Sequence, residues 1–182
     1  MKTLVIVSHH YPDQSHAIQA LQQTAQALPN VEVRNLETLY GHDTTAFDVA
    51  AEQKAHEGVN RVVYLFPIHW FNLTPMLKAY LNQVWTYGWA FGPDGKALAG
   101  KEMQVVVTAG ATAHTYSAQG LIHSSIQEVL TPMKASAFYV GMTYADPLAF
   151  FEAMGASGDK LNGFQQALQA RLTAPLGHAL VA

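Results

Sequence analysis

The stretch from Arg61 to Leu81 leaves the chain less conformational choice than any other. Arg61-Val62-Val63-Tyr64-Leu65 is a short apolar run with the β-branched character of a buried strand. A helix follows almost at once. Thr74 suits its cap, Pro75 its first turn, where a missing N–H would lack a partner anyway, and Met76 to Leu81 are good helix formers. Pro67 therefore bends the chain at the carboxyl end of a strand, the place where open α/β sheets bind ligands. The intervening turn, Phe66-Pro67-Ile68-His69-Trp70-Phe71-Asn72, sets aromatic faces beside free backbone amides. That combination suits a flat heteroaromatic ring that stacks and is hydrogen-bonded along one edge. The same residues also suit a turn whose aromatics close the top of the core, and the turn alone leaves both readings open.

The rest of the chain supplies the sheet around this strand. Leu4 to Val7 reads as a buried strand. Ser8 to Ser15 is a polar loop, and Ala17, Ile18, Leu21, Ala25 and Leu28 recur at helical spacing before Pro29-Asn30. Val31 to Arg34 alternates as a strand does, completing a β-α-β unit. Leu36 to Thr45 shows no period and reads as a loop; Phe47 to His56 reads as a helix closed by Gly58. Trp85 to Gly95, aromatic and glycine-punctuated, is a loop of the lid or interface kind. Gln104 to Thr108 is the next strand and Ala109 to Gly120 a small-residue loop. Leu121 to Leu130 is a helix ended by Pro132, Ala137 to Tyr144 a fifth strand, and Lys160 to Leu172 the last helix. Asp146 to Gly158 receives no element. Five strands alternating with helices predict a doubly wound five-stranded parallel sheet with helices on both faces, in a single domain over residues 1–182.

Composition narrows the chemistry. Of 182 residues 13% are charged, and the net charge of −3 comes without a Lys/Arg cluster, so no nucleic-acid partner is expected. A surface so sparsely charged fits a chain that hides area in an oligomer. The absence of cysteine excludes thiolate catalysis and iron–sulfur ligation. No signal-peptide core or membrane-length apolar run is present, which reads as a cytoplasmic protein. Nine histidines adopt no familiar ligand spacing, so no metal site is expected, and no G-x-S-x-G elbow supports a serine hydrolase.

In a doubly wound sheet the loops Ser8 to Ser15, Phe66 to Asn72 and Thr108 to Gly120 meet on one edge. The first ends at a helix N-terminus, which favours a phosphate, with His9, Ser15 and His16 as further donors. It carries neither a dinucleotide nor a P-loop glycine pattern, and a Ser-capped helix also occurs without any ligand. The third loop, Thr108-Ala109-Gly110-Ala111, is small enough for its amides to approach a ring edge. Tyr116 and His123 are close enough in sequence to face the same pocket and donate hydrogen bonds to developing charge.

Laid out in order, these motifs resemble the flavodoxin-like NAD(P)H:quinone oxidoreductase family, which includes DT-diaphorase and, with a greater likeness, the bacterial ancillary proteins of glutathione-regulated potassium efflux. The likeness runs from Lys2 to Leu172. It is most specific at Pro67 to Phe71 with the Pro75 helix, at Thr108 to Ala111 with Tyr116 and His123, and at the aromatic segment Trp85 to Gly92. It implies a flavin phosphate at His9, Ser15, His16, Ala17 and Ile18, the last standing where many relatives carry Asn. The ring would lie against Pro67, Ile68, His69, Trp70 and Phe71, with its polar edge on the amides of Thr108, Ala109, Gly110 and Ala111. Ala109 and Ala111 replace a Thr and a Gly of the commoner motif. Tyr116 and His123 match the family's pair beside the flavin, at a spacing one residue longer than in the mammalian enzymes.

The resemblance further implies FMN rather than FAD, since the C-terminal extension of the larger FAD-binding members has no counterpart here. It implies NAD(P)H as hydride donor, quinones as acceptors in a two-electron ping-pong reaction, and a homodimer whose sites lie at the subunit interface. A second role stays open: a regulatory ancillary subunit docking on a membrane potassium-efflux protein, which would place the chain at the inner membrane periphery. A one-electron flavodoxin fits less well, because the phosphate loop is not of the Thr/Ser/Gly-rich type.

Overall fold

The structure, a computed structural model, describes residues 1–177 and 179–180. Strands β1 (Thr3–Val7), β3 (Arg61–Pro67) and β4 (Glu102–Thr108) are buried along their whole length. Such strands need apolar side chains on both faces, and alternate residues feed two separate cores. Leu4, Ile6, Val62, Tyr64, Phe66, Val105 and Val107 belong to one; Val5, Val7, Val63, Leu65 and Val106 belong to the other. Half-buried β2 (Val31–Asn35) pairs with β1 in parallel. The first core is covered by α2 (Leu36–Tyr40), α3 (Val49–Ala55), α4 (Pro75–Val84), α5 (Ile126–Val129) and α6 (Thr131–Tyr139). The second lies under α1 (His16–Gln26) and α7 (Gly158–Thr173), through Ile18, Leu21, Leu168 and Leu172. Helices thus cover both faces, as the sequence predicts.

The sheet order is β2-β1-β3-β4-β5-β7, where β5 is Thr143–Ala145 and β7 is Ala179–Leu180. The fifth position is split between two short strands. β5 pairs with the start of β4 through Glu102 and Met103, and β6 (Leu148–Phe150) pairs with its end through Val106 to Thr108. Pro147, which has no N–H for the ladder, sits in the break. The Asp146 carbonyl turns outward to accept from Gln104 Nε2 at 3.0 Å and from an Arg171 guanidinium nitrogen at 2.6 Å. The expected parallel strands occupy their five positions, and β7 adds an antiparallel edge beside β5.

Four local expectations need correction. Ala137 to Tyr144 is not one strand: α6 runs to Tyr139, Gly141 turns the chain at φ +76°, and the strand begins at Thr143. Pro132, expected to stop a helix, instead opens this one, because proline lacks only a donor that the first turn does not use. Leu121 to Leu130 is helical only at Ile126–Val129, behind a Ser125–Glu128 capping box. Leu36 to Tyr40, expected in a loop, is a helix capped by the Asn35 side chain. Five residues are too few to show a stripe, and burial of Leu36 settles the matter.

Candidate functional site

From β1 the chain moves outward to β2, then returns to β3 on the other side of β1. The loops leaving β1 and β3 therefore diverge at the carboxyl edge and leave a hollow between them. It is a cleft of about 390 Å³. His9, Ser15, His16, Ala17, Pro67, Ile68, His69, Thr108, Ala109 and Gly110, all expected at the site, line it. Larger hollows of about 500 and 630 Å³ lie between α1 and α7 and between α4 and α6, on helix faces rather than at this edge.

The first loop makes one 3-10 turn, Pro12–Gln14, before Ser15 caps α1 by accepting the Ile18 N–H at 3.3 Å. Among the described residues the N–H groups of His16 and Ala17 have no partner, so the positive end of an 11-residue helix opens on the cleft with two free donors. His9 Nδ1 accepts the Tyr11 N–H at 2.9 Å, which puts the proton of the neutral ring on Nε2. Burial, then the His69 ring 5.7 Å away, lower its pKa to about 4. No Lys or Arg lines the cleft. An anion here would be held by amides and neutral donors. Ile18, also expected there, does not line the cleft: its side chain is buried in the second core and its N–H donates to Ser15.

The turn after β3 is strained. Trp70 and Phe71 are successive left-handed residues, φ +47° and +61°, a conformation that costs bulky side chains about 1–3 kcal/mol each. Two bonds between His69 and Asn72 close it, at 3.4 and 3.0 Å. This geometry leaves the Trp70 and Phe71 amides without partners among the described residues but carries both rings away from the cleft. Trp70 is 93% exposed; Phe71 turns toward Val129, Leu130 and Met133 and meets Tyr116 edge-on at 6.1 Å. These rings, expected as walls of the slot, do not line it in the single chain, where the turn contributes Pro67, Ile68 and His69.

In the third loop the Ala109 N–H is engaged by the Phe150 carbonyl at 2.9 Å, and Ile68 N–H by Thr108 at 2.8 Å. Gly110 and Ala111 keep unpartnered amides among the described residues. Their small side chains matter: a Cβ on Gly110 would reach 3.6 Å from the Met154 methyl, narrowing the mouth. Ala153 N–H binds the Ala109 carbonyl and Glu152 N–H that of Ala111, at 2.9 and 3.0 Å. A fourth loop, Ala153 to Gly155, is thereby brought into the lining. Sequence reasoning missed it, along with Tyr11 and Gln14. Leu148-Ala149-Phe150-Phe151 was its available signal, since a strand there would have delivered the following loop to this edge.

Tyr116 ends a 3-10 turn capped by Thr112 and packs between Phe71 and Phe151, 6.1 and 5.5 Å away. Burial raises its phenol pKa and keeps it a donor. His123, at φ +52°, is exposed, with Nδ1 3.3 Å from the Ala118 carbonyl. Neither residue lines the cleft. Among the described residues no group of three or more metal-type side chains gathers, and no helix is long and apolar enough to cross a membrane.

The chain is similar to known proteins along most of its length. The chain is 35% identical to an uncharacterized NAD(P)H oxidoreductase of Bacillus subtilis, YdeQ, over 88% of this chain and 81% of that one. It is 33% identical to the glutathione-regulated potassium-efflux system ancillary protein KefF of Salmonella typhimurium, over 94% and 95%. The crystal structure of general stress protein 14 from Treponema denticola, in complex with FMN, superposes with a TM-score of 0.82 at 35% identity, over 93% of this chain and 99% of that one. A family profile described as flavodoxin-like fold, Flavodoxin_2, matches residues 1–172, and the chain belongs to that family.

Proposed function

We propose that the protein is an FMN-dependent NAD(P)H oxidoreductase with quinones as acceptors. One observation carries the reading: unpartnered amides at the start of α1, in the turn after β3 and in the loop after β4 belong to loops that meet at one edge. That donor set fits FMN, because an anionic tail and a polar ring edge both need donors, and the Ala109-Gly110 cradle admits a flat ring. The FMN found in general stress protein 14 and the oxidoreductase name of YdeQ support it.

His16 and Ala17 amides, the Ser15 hydroxyl and His9 Nε2 hold the phosphate, with Ile18 packed behind them as a support. Pro67, Ile68 and His69 form one wall and Thr108 and Ala109 the floor, while the amides of Trp70, Phe71, Gly110 and Ala111 bind the polar edge. When bound, FMN supplies the redox chemistry, taking a hydride from NAD(P)H and yielding it to an acceptor in a second half-reaction. Tyr116 and His123, which lie outside the cleft lining of the single chain, would donate toward negative charge on the part of the ring that extends past that lining. A planar quinone suits the place a nicotinamide vacates, so the kinetics are ping-pong. The test is the absorbance spectrum of the purified protein with and without added FMN. A flavin band that bleaches with NAD(P)H and recovers with a quinone is expected; no FMN uptake at micromolar levels overturns the reading.

The single unit over residues 1–182 works as a homodimer. Trp70, Tyr87, Leu121 and Tyr139 are all more than two-thirds exposed, large apolar side chains of the kind that a second copy would cover. A monomer by light scattering would remove this part. The likeness to KefF favours a second role, a cytoplasmic ancillary subunit on a potassium-efflux protein at the inner membrane. Co-purification with such a channel, surviving loss of turnover, would establish it.

A further inference from the structure

We propose that Glu37 is a positioning residue for the cleft, fixing the loop after β1 against the strained turn after β3; this rests on the FMN reading above. Its carboxylate ends a one-way chain of hydrogen bonds. Leu77 N–H donates to Thr74 Oγ1 at 3.3 Å. Thr74 and Ser8 hydroxyls lie 2.5 Å apart, and Ser8 donates to Glu37 Oε1 at 2.7 Å. A carboxylate oxygen only accepts, so the Ser8 proton points to Glu37 and the Thr74 proton to Ser8. Every hydroxyl is used in one direction, and Glu37 sets that direction.

The chain joins three elements at the edge where the site lies. Ser8 directly follows β1 and precedes His9; Thr74 caps α4 and follows the Trp70-Phe71 turn; Glu37 stands in the first turn of α2. Ser8 and Thr74 are fully buried and Glu37 is 7% exposed. The left-handed pair persists only if both its ends are fixed. The upstream end is held by the Ile68–Thr108 bond. The downstream end is the start of α4, and Thr74–Ser8–Glu37 is what ties that start to the first loop. Glu37 Oε2 has no partner among the described residues. A buried carboxylate with an idle oxygen is poorly explained by stability, since a hydroxyl or an apolar side chain would avoid the desolvation. Retention for geometry explains it.

The test uses the full chain with Glu37→Leu, which removes the acceptor, and Glu37→Gln, which keeps an oxygen toward Ser8. Flavin affinity is read by quenching of FMN fluorescence. Glu37→Leu is expected to weaken FMN binding by about tenfold, 1.4 kcal/mol, with Glu37→Gln restoring most of it. Hydrogen exchange, measured without flavin, is expected to quicken at the Asn72 and Leu77 amides in the Leu variant and not in the Gln variant. Should Glu37→Leu fail to fold, Ser8→Ala breaks the same chain at its middle link and is expected to give the same two changes. Unchanged FMN affinity and exchange in the Leu variant, or equal losses in Leu and Gln, overturn the proposal. A wild-type protein that takes up no FMN overturns the flavin reading instead, and the exchange result still decides the clamp.

Discussion

The two edges of the sheet manage polar groups in opposite ways. At the amino edge Arg61 is fully buried, yet all its donors are engaged: Nε with Glu102 at 2.6 Å, the two terminal nitrogens with the carbonyls of Arg171, Leu172, Ala174 and Pro175. Glu102 in turn accepts the Gly177 N–H. One guanidinium thereby closes the end of α7 against β3 and β4. At the carboxyl edge the reverse holds: two amides at α1, two at Trp70-Phe71 and two at Gly110-Ala111 lack partners among the described residues, and no Lys or Arg lines the cleft. Full satisfaction marks an edge kept for stability; unsatisfied donors on a preformed wall mark one kept for a ligand.

Four experiments probe that contrast. The largest effect is expected at the satisfied edge. Arg61→Ala leaves a buried Glu102 unpaired and should cost about 3–5 kcal/mol, lowering Tm by roughly 6–20 °C in a chain of this size. A small shift by calorimetry would make the amino edge no more critical than the other. At the open edge, Tyr116→Phe with His123→Ala should lower turnover by about ten- to a hundredfold with FMN still bound; unchanged turnover removes the pair from the mechanism. Gly110→Val adds branching beside Met154 and should weaken FMN about tenfold with Tm nearly unchanged. If Tm falls instead, the loop belongs to the packed half of the comparison.

The smallest effect is a pH dependence. The folded-state pKa of His9 is held at about 4 by burial and by His69, against an ordinary value of 6.5. Between those values the unfolded chain binds more protons, so stability falls as pH drops from about 6.5 toward 4 and is flat below. His56 and His69, also lowered by burial, act in the same sense. Tm measured across this range should fall with acid, and His9→Asn, whose amide oxygen still accepts from Tyr11, should flatten part of the slope. A slope unchanged by that variant would place the proton elsewhere.

Much of the architecture was legible because periodicity reports burial directly. Val62 to Phe66 and Val105 to Val107 are apolar at consecutive positions since both faces are covered, and the α1 stripe survives in the order Ile18, Leu21, Ala25. Pro132 shows where local reading fails, since the same ring can end one helix or begin another and only the packing of Met133 and Ala137 decides. In the site, ten of the expected residues line the cleft because loops after parallel strands must share an edge. Ile18 faces the core instead, because a position at a helix start can point inward or toward a ligand and nothing local tells which.

The sequence by itself determined the layered sheet, the edge that carries the cleft and the capped helix starts at Ser15 and Thr74, all of which follow from residue type and spacing. Tertiary structure alone decided the split fifth strand, the arrival of Ala153 to Gly155, the outward course of Trp70 and the Ser8–Thr74–Glu37 chain. These depend on partners distant in sequence, and a hydrogen bond between residues far apart leaves no period in the chain that makes it.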